Sequence, residues 1–580
     1  VKTGAAKVLG FAATCAALAA ACAPVWLILR YGVDVPYLDQ WEISPFFEKL
    51  SRGTLTLSDL FAQQNEYRQL FPHLIFVALG RLTGWNVKYE MIVSLLLACF
   101  VAYGVRRLGA RTYADPCRRG VFFLLASLLI FSTIQYDNWL FGVQVVYFMP
   151  AACVVAGLLV AYSDRVGTTT AVTVCACLSA VAMFSSANGI VAWLVLPPAL
   201  LGARPGVVRA AWKRWLPPWC AALALCAAVY AQGYHSPASH PSTSEVLRHP
   251  FDAAAYFVAF LGGPLAAGYF PLAIALVVGS VALLSYACAC AYLFKFRDDR
   301  ELLRRSAAWA SLGVYSLGTG ALVTAGRLGF GVEQAVSTRY AAFSLYLLVA
   351  LIYLLPCVVE DATRRGYVTA ARLAWLKRLG ALSAVLLLIA HVLIFVLVVQ
   401  HGAADWRRAR LGAKACLLFI EVTPAERCLA EGLYPDVRLL RERAESLDRM
   451  GYLRPPLIRA GNVRALAADG GVCSDARGSF ERLSTEGGGY VVEGYARLPR
   501  RDEPADAVLL AYGTSEDDQT VFALAGVGAD GLRNDPHWRK TFPADALPAS
   551  PRLEITAWAF DAEEGKAYRL CETHAAVPPR

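Results

Sequence analysis

The chain has 580 residues, 57% of them hydrophobic and only 17% charged, with a net charge of +10 and a mean hydropathy of +0.45. Soluble domains carry about 25% charged residues, so this composition excludes an ordinary soluble enzyme and indicates a polytopic membrane protein. Lys and Arg fall mostly in short loops between apolar runs, where they set topology, so nucleic acid is not the expected partner.

Lys2 and Lys7 precede a first apolar run over 8–29. Ala21-Cys22-Ala23 mimics a signal-peptidase site, but the run continues to Leu29, long enough to span a bilayer at about 20 residues. It is read as an uncleaved first helix. Residues 31–87 then form a long polar loop. It holds Asp34, Asp39 and Glu42 around Trp41, then Asn65, Glu66, Tyr67 and Arg68, with His73 beyond them. Amphipathic pieces are predicted over 43–50 and 55–61. The short apolar segment 71–82, with His73 and Arg81, is expected to lie at the interface or re-enter.

Further spans are predicted over 88–105, 121–134, 145–162, 171–184, 190–201, 216–232, 271–293, 309–325, 341–358 and 381–399. Residues 251–261 read as a half-helix broken at Gly262, Gly263 and Pro264. The loop with Arg106, Arg107, Arg111, Arg118 and Arg119 is placed in the cytoplasm by its charge, and the other strongly basic loops fall on the same side. About eleven spans result, with the N-terminus inside, the C-terminus outside and the 31–87 loop outside.

From residue 401 the composition turns polar. A helix is predicted over 436–449, followed by strands over 490–498, 507–512, 520–525 and 553–560, separated by Gly, Pro and Asp turns. The expectation is a polytopic α-helical domain over 1–400 and an extracytoplasmic domain over 401–580, short helices followed by a β-sandwich. Most of the sixteen cysteines lie in apolar runs and act as small hydrophobes. Cys416, Cys428, Cys473 and Cys571 form an even set in the polar part. Outside the cell they are expected to pair as Cys416–Cys428 and Cys473–Cys571. No zinc-type spacing occurs.

Three polar clusters stand where apolar spans emerge, at a depth where ionisable groups are costly without a partner or ligand. The first joins Asp34, Asp39 and Glu42 to Asn65, Glu66, Tyr67, Arg68 and His73. The second is Gln135, Tyr136, Asp137, Asn138 and Trp139 with Gln144. The third is Arg327, Glu333, Gln334, Arg339 and Tyr340. First-loop carboxylates suit a general base or a divalent cation. Arg68, Arg327 and Arg339 suit a phosphate or diphosphate. Trp41, Tyr136, Trp139 and Tyr340 suit a sugar face. The plainer alternatives are an interfacial aromatic belt, arginines that snorkel or pair with Glu333, a helix cap at Asp59, and a solvated loop for His235, His240 and His249.

The first-loop acidic motif, the juxtamembrane amphipathic pieces, about eleven spans and an outer C-terminal domain resemble the GT-C superfamily of membrane glycosyltransferases. That superfamily includes protein O-mannosyltransferases, the lipid A aminoarabinose transferase and mycobacterial arabinofuranosyltransferases. The segments YLDQWE, NEYRQLFPH, QYDNWLFGVQ and GRLGFGVEQAVSTRY look like signatures of a bacterial group with that architecture. The resemblance covers roughly the first 400 residues. It implies an inverting transfer of a sugar from a polyprenyl-phosphate donor to a glycan, lipid or protein acceptor, on the outer face of a bacterial cytoplasmic membrane. The base falls on Asp39, with Asp34 and Glu42 as alternates. Donor phosphate falls first on Arg327 and Arg339, then on Arg68 and His73. No cofactor is certain. A divalent cation, Mg or Mn, is used by some members, but Gln40 follows Asp39 where they often carry a second acid. The competing functions are a transporter or flippase for an envelope lipid or polysaccharide, and a non-catalytic glycan-binding membrane protein.

Overall fold

A computed structural model describes residues 2–580 except 238–239, 424, 469–471, 476, 516–517, 529–534, 549–552 and 577–580; side chains are not described for 2–5 and 205–211. The chain divides into two compact units. One comprises residues 1–32, 56–76 and 88–404, and the other 33–55, 77–87 and 405–580. The boundary at 404/405 lies close to the compositional change at 401. The 31–87 loop, expected to belong to the first domain, is shared between both units.

The first unit is helical. Among the described residues of the chain, seven helices are long and apolar enough to cross a membrane: Ala6–Tyr31, Lys88–Thr112, Pro116–Leu140, Gly142–Ala161, Leu272–Lys295, Thr338–Arg364 and Ala370–Leu418. Leu70–Thr83, Thr168–Met183, Ala187–Ala203 and Pro250–Ala266 are shorter apolar helices. Several of the long helices leave their apolar side chains uncovered. Val277, Val281 and Leu284 are at least 60% exposed along Leu272–Lys295, and Leu382, Val385, Ile389 and Val392 are at least 50% exposed along Ala370–Leu397. Contiguous apolar surface on this scale is unfavourable in water and is covered by lipid.

The 251–261 segment departs from its expected form. Its helix runs unbroken over Pro250–Ala266, through both glycines and past Pro264. Close packing is what the glycines provide. A Cβ on Gly262 would lie 2.0 Å from the Ala275 carbonyl oxygen, and one on Gly279 would lie 1.9 Å from that of Val258. Pro250–Ala266 and Leu272–Lys295 therefore meet backbone to backbone, as small residues allow in membrane helices.

Within this unit a two-strand hairpin pairs β1 (Gln63–Gln64) with β2 (Tyr67–Arg68). Asn65 occupies its turn at φ 50°, a left-handed conformation that Asn tolerates better than most residues.

The second unit contains a β-sandwich. Its strands are β3 (Gly478–Glu486), β4 (Gly489–Leu498), β5 (Glu503–Pro504), β6 (Ala507–Gly513), β7 (Thr520–Ala525), β8 (His537–Pro543), β9 (Glu554–Asp561), β10 (Lys566–Arg569) and β11 (His574–Ala575). One antiparallel sheet has the order β10-β9-β6-β7 with β11 also on β9; the other is β3-β4-β5 with β8 also on β4. Phe480, Tyr490, Val492, Trp538 and Phe542 from the second sheet meet Val508, Leu510, Ile555, Ala557 and Tyr568 from the first in one core. The first sheet's other face, with Leu509, Ala511, Trp558 and Phe560, packs on Ala415, Leu418 and Phe419. Burial on both faces explains why β6 reads as a continuous apolar run rather than an alternating one.

The helix expected over 436–449 forms as Val437–Arg449, with the Asp436 side chain accepting from Leu439 N–H at 3.0 Å. Phe47, from the 33–55 segment, packs on Trp85 at 4.8 Å and Tyr452 at 4.9 Å between ring centroids. Cys416 and Cys428 form a disulfide. Cys473 and Cys571 do not: both are thiols, with Cys473 exposed on the turn-rich segment before β3.

Candidate functional site

The polar groups of the helical unit converge through the β1–β2 hairpin. Its tip presents Glu66 and Tyr67, and its base is fastened by side chains that bond backbone. Gln63 Nε2 donates to the His235 carbonyl at 2.6 Å, and Gln63 Oε1 accepts from His235 N–H at 3.0 Å. Arg68 donates to the carbonyls of Tyr230 (2.8 Å), Phe61 (3.1 Å) and Gln232. The bonds to Tyr230 and Gln232 satisfy carbonyls at the C-terminal end of Pro205–Ala231, where the helix dipole also favours a cation. His73 is 1% exposed, with Nδ1 2.7 Å from the Leu60 carbonyl and Nε2 3.0 Å from Gln64 Oε1. Arg68 and His73 thus hold the hairpin in place and do not present open donor groups to a ligand.

Arg327 ends the helix Arg300–Arg327 and donates to Glu66 Oε1, while Glu66 Oε2 lies 3.3 Å from His240 Nδ1. Arg327 Nη1 is 3.1 Å from His240 Nε2, closing a triangle of carboxylate, imidazole and guanidinium. Burial alone would favour an uncharged Arg327, but the Glu66 carboxylate beside it outweighs that and holds the guanidinium charged more firmly than usual. Burial, with Tyr147 and Glu66 beside it, raises the Tyr67 phenol well above its ordinary range, so Tyr67 is a neutral hydrogen-bonding group.

The second and third clusters join the first. Arg339 lies within electrostatic reach of Tyr147, Tyr340, Asp137 and Arg327. Its Nε donates to Ser337 Oγ at 3.3 Å, and no carboxylate pairs with it within 4 Å among the described residues. Asn138 Nδ2 donates to the Arg339 carbonyl at 2.9 Å and so fixes the turn that carries the guanidinium. Asp137 Oδ1 and Gln334 Oε1 are buried without hydrogen-bond partners, which is costly unless something else satisfies them.

Other expected residues take structural places. Trp139 is fully buried, donates from Nε1 to the Ser132 carbonyl at 3.0 Å and packs on Phe148, so its ring offers no face to a sugar. Gln135 is buried and donates to the Ile130 carbonyl at 3.0 Å, and Gln144 is buried as well. Asn65 supplies the hairpin turn, and Glu333 is exposed. Asp59 completes a capping box, its Oδ2 accepting from Thr56 N–H at 2.9 Å.

The first-loop carboxylates belong to the other compact unit. Glu42 receives both Arg443 Nη atoms, at 3.0 and 2.9 Å, together with the Tyr434 hydroxyl. Its burial would raise its pKa, but these donors outweigh that and hold it below the usual range. Asp34 Oδ1 accepts from Val87 N–H at 3.0 Å. Asp39 is half-buried in the first turn of the 3-10 helix Leu38–Ile43, and Trp41 beside it is completely buried.

Three members of the converged cluster were not anticipated. Tyr147, near the start of Val145–Ala161, and Tyr256, beside Tyr340 and within reach of Arg327 and Arg339, lie inside apolar helices, where a tyrosine reads as core or belt. His240 reads as a solvated loop residue because its partners are 87 and 174 positions away in sequence or further, beyond any local spacing rule.

The class of protein so defined is a multi-pass, mainly helical membrane protein with a β-sandwich in its second unit. No protein-family model and no curated protein matches the chain. A crystal structure of ArnT from Cupriavidus metallidurans bound to undecaprenyl phosphate is similar over 63% of this chain and 79% of that one, at 12% identity and a TM-score of 0.26.

Proposed function

We propose that the chain is a membrane glycosyltransferase of GT-C type. It moves a sugar from a polyprenyl-phosphate donor to a glycan, lipid or protein acceptor on the outer face of a bacterial cytoplasmic membrane. The observation that carries this reading is the convergence of Arg327 and Arg339 with Glu66, Tyr67, Tyr147 and Tyr340 where apolar helices end. Such a site suits a phosphate carrying a long hydrocarbon: guanidinium and phenol groups meet the headgroup, and lipid-covered helices meet the tail.

As the bond from sugar to phosphate breaks, negative charge grows on the leaving phosphate, and Arg327 and Arg339 stabilise it there. The acceptor hydroxyl attacks the opposite face of the anomeric carbon, which inverts it and needs a base for the hydroxyl proton. The sequence resemblance assigns that base to Asp39; Glu42 and Asp34 are its alternates, although Arg443 and the Val87 amide already engage them. Among the described residues no group of three or more His, Cys, Asp or Glu side chains converges to hold a metal.

The test is reconstitution in liposomes with polyprenyl-phosphate sugars. Wild type is expected to transfer, with Arg339→Gln and Asp39→Asn each slower by about 10²–10³. Equal rates in Asp39→Asn would remove the base assignment. No transfer from any such donor would overturn the enzyme reading in favour of a transporter or glycan binder.

A further inference from the structure

The second unit carries two cysteine pairs in different states. Cys416–Cys428 is closed, and disulfides form and persist in oxidising compartments. Cys473 and Cys571 are free thiols, and the backbone holds Cys571 beside the start of β3. Cys571 N–H donates to the Gly478 carbonyl at 3.3 Å, and Phe480 N–H donates to the Cys571 carbonyl at 3.0 Å. Ahead of β3, Gly478 N–H donates to the Asp475 carbonyl at 3.3 Å and Arg477 N–H to the Ser474 carbonyl at 2.9 Å. Arg477 Nη1 donates to the Val472 carbonyl at 2.8 Å. The Cys473 side chain lies within hydrogen-bonding reach of the Cys571 thiol. Cys473 leads into β3 of one sheet and Cys571 follows β10 of the other, so the pair straddles the seam of the sandwich.

We propose that Cys473 and Cys571 are a redox-active pair that closes by exchange with an oxidised protein or small-molecule disulfide, stapling the two sheets at this seam. The Cys473 thiol loses its proton, and its thiolate attacks one sulfur of the oxidant. The oxidant's S–S bond breaks, and a mixed disulfide forms as the first oxidant thiolate leaves. Cys571 then loses its proton and attacks the Cys473 sulfur, forming the Cys473–Cys571 bond and releasing the second oxidant thiolate. Two electrons and two protons pass to the oxidant, whose two sulfurs end as thiols. Exposure sets the order: Cys473 can be reached from solvent and Cys571 is half-buried. Burial, with Cys473 and Asp475 beside it, raises the Cys571 thiol above the ordinary range, which suits the second, resolving sulfur.

The full chain in detergent is equilibrated in glutathione buffers from reducing to oxidising, blocked with N-ethylmaleimide, digested without reductant and mapped by mass spectrometry. In reducing buffer both cysteines are expected to label, Cys473 the faster. In oxidising buffer a reductant-sensitive peptide joining Cys473 to Cys571 replaces them. The bridge closes a loop of about 100 residues, so oxidised wild type melts roughly 5–15 °C above oxidised C473S/C571S. Labelling of both cysteines throughout the oxidising range, or bridges from either to another cysteine, overturns the proposal.

Discussion

Arg68, Arg327 and Arg339 are the same residue type in neighbouring polar clusters, yet they have different work. Arg68 spends its guanidinium on three backbone carbonyls, Arg327 shares its charge with Glu66 and His240, and Arg339 has Asp137 within electrostatic reach but no carboxylate within 4 Å among the described residues. Arg339 therefore has the most to offer an added anion. Glu42 is the counterpart among the carboxylates, since Arg443 and Tyr434 saturate it. Its lowered pKa means that its contribution to stability is complete above its unfolded value of about 4.5 and is lost as the pH falls through the folded value. Glu42→Gln is expected to cost about 1–3 kcal/mol at pH 7, less than a fully buried pair because Glu42 is 34% exposed. Melting curves from pH 7 to pH 3 should show wild type losing its advantage over Glu42→Gln below pH 4.5. A constant difference across that range would dismiss the ion pair as the cause.

Among the elements, the Pro250–Ala266 and Leu272–Lys295 pair shows how sequence punctuation can mislead. Gly262, Gly263 and Pro264 look like a break, but Gly262 and Gly279 are contact points at which backbones touch. Gly279→Val is expected to destabilise the helical unit by about 1–3 kcal/mol through overpacking. Faster proteolysis in detergent would register it, and a variant as resistant as wild type would refute this packing role. In the sandwich, the strands expected over 490–498, 507–512, 520–525 and 553–560 form with shifts of at most one residue. β8 was missed because Lys540 stands at an inward-parity position between Trp538 and Phe542 and breaks the apolar alternation. β3 was missed for a related reason, since only Gly478 and Phe480 are buried along it.

For the whole molecule, the exposed apolar helices define a membrane protein, and the Cys416–Cys428 bridge supports an oxidising surrounding for the second unit. Reporter fusions after residue 105 and at residue 401 are expected to report cytoplasm and outside respectively. An outer location for the 106–119 loop would sink the proposed orientation.

Composition and period were enough for the membrane class, the compositional change near residue 401, the 437–449 helix and four of the sandwich strands. Each of these depends on a local pattern: an apolar run, an alternation of two, a cap. The convergence of Glu66 with Arg327 and of Asn138 with the Arg339 carbonyl joins residues 261 and 201 positions apart. The engagement of Glu42 depends on Arg443, 401 positions away. The division of the 31–87 loop between two compact units has the same origin, because Phe47 finds Trp85 and Tyr452 only once the chain has folded. Long-range packing selects among locally equivalent polar residues, and no spacing rule along the chain encodes that choice.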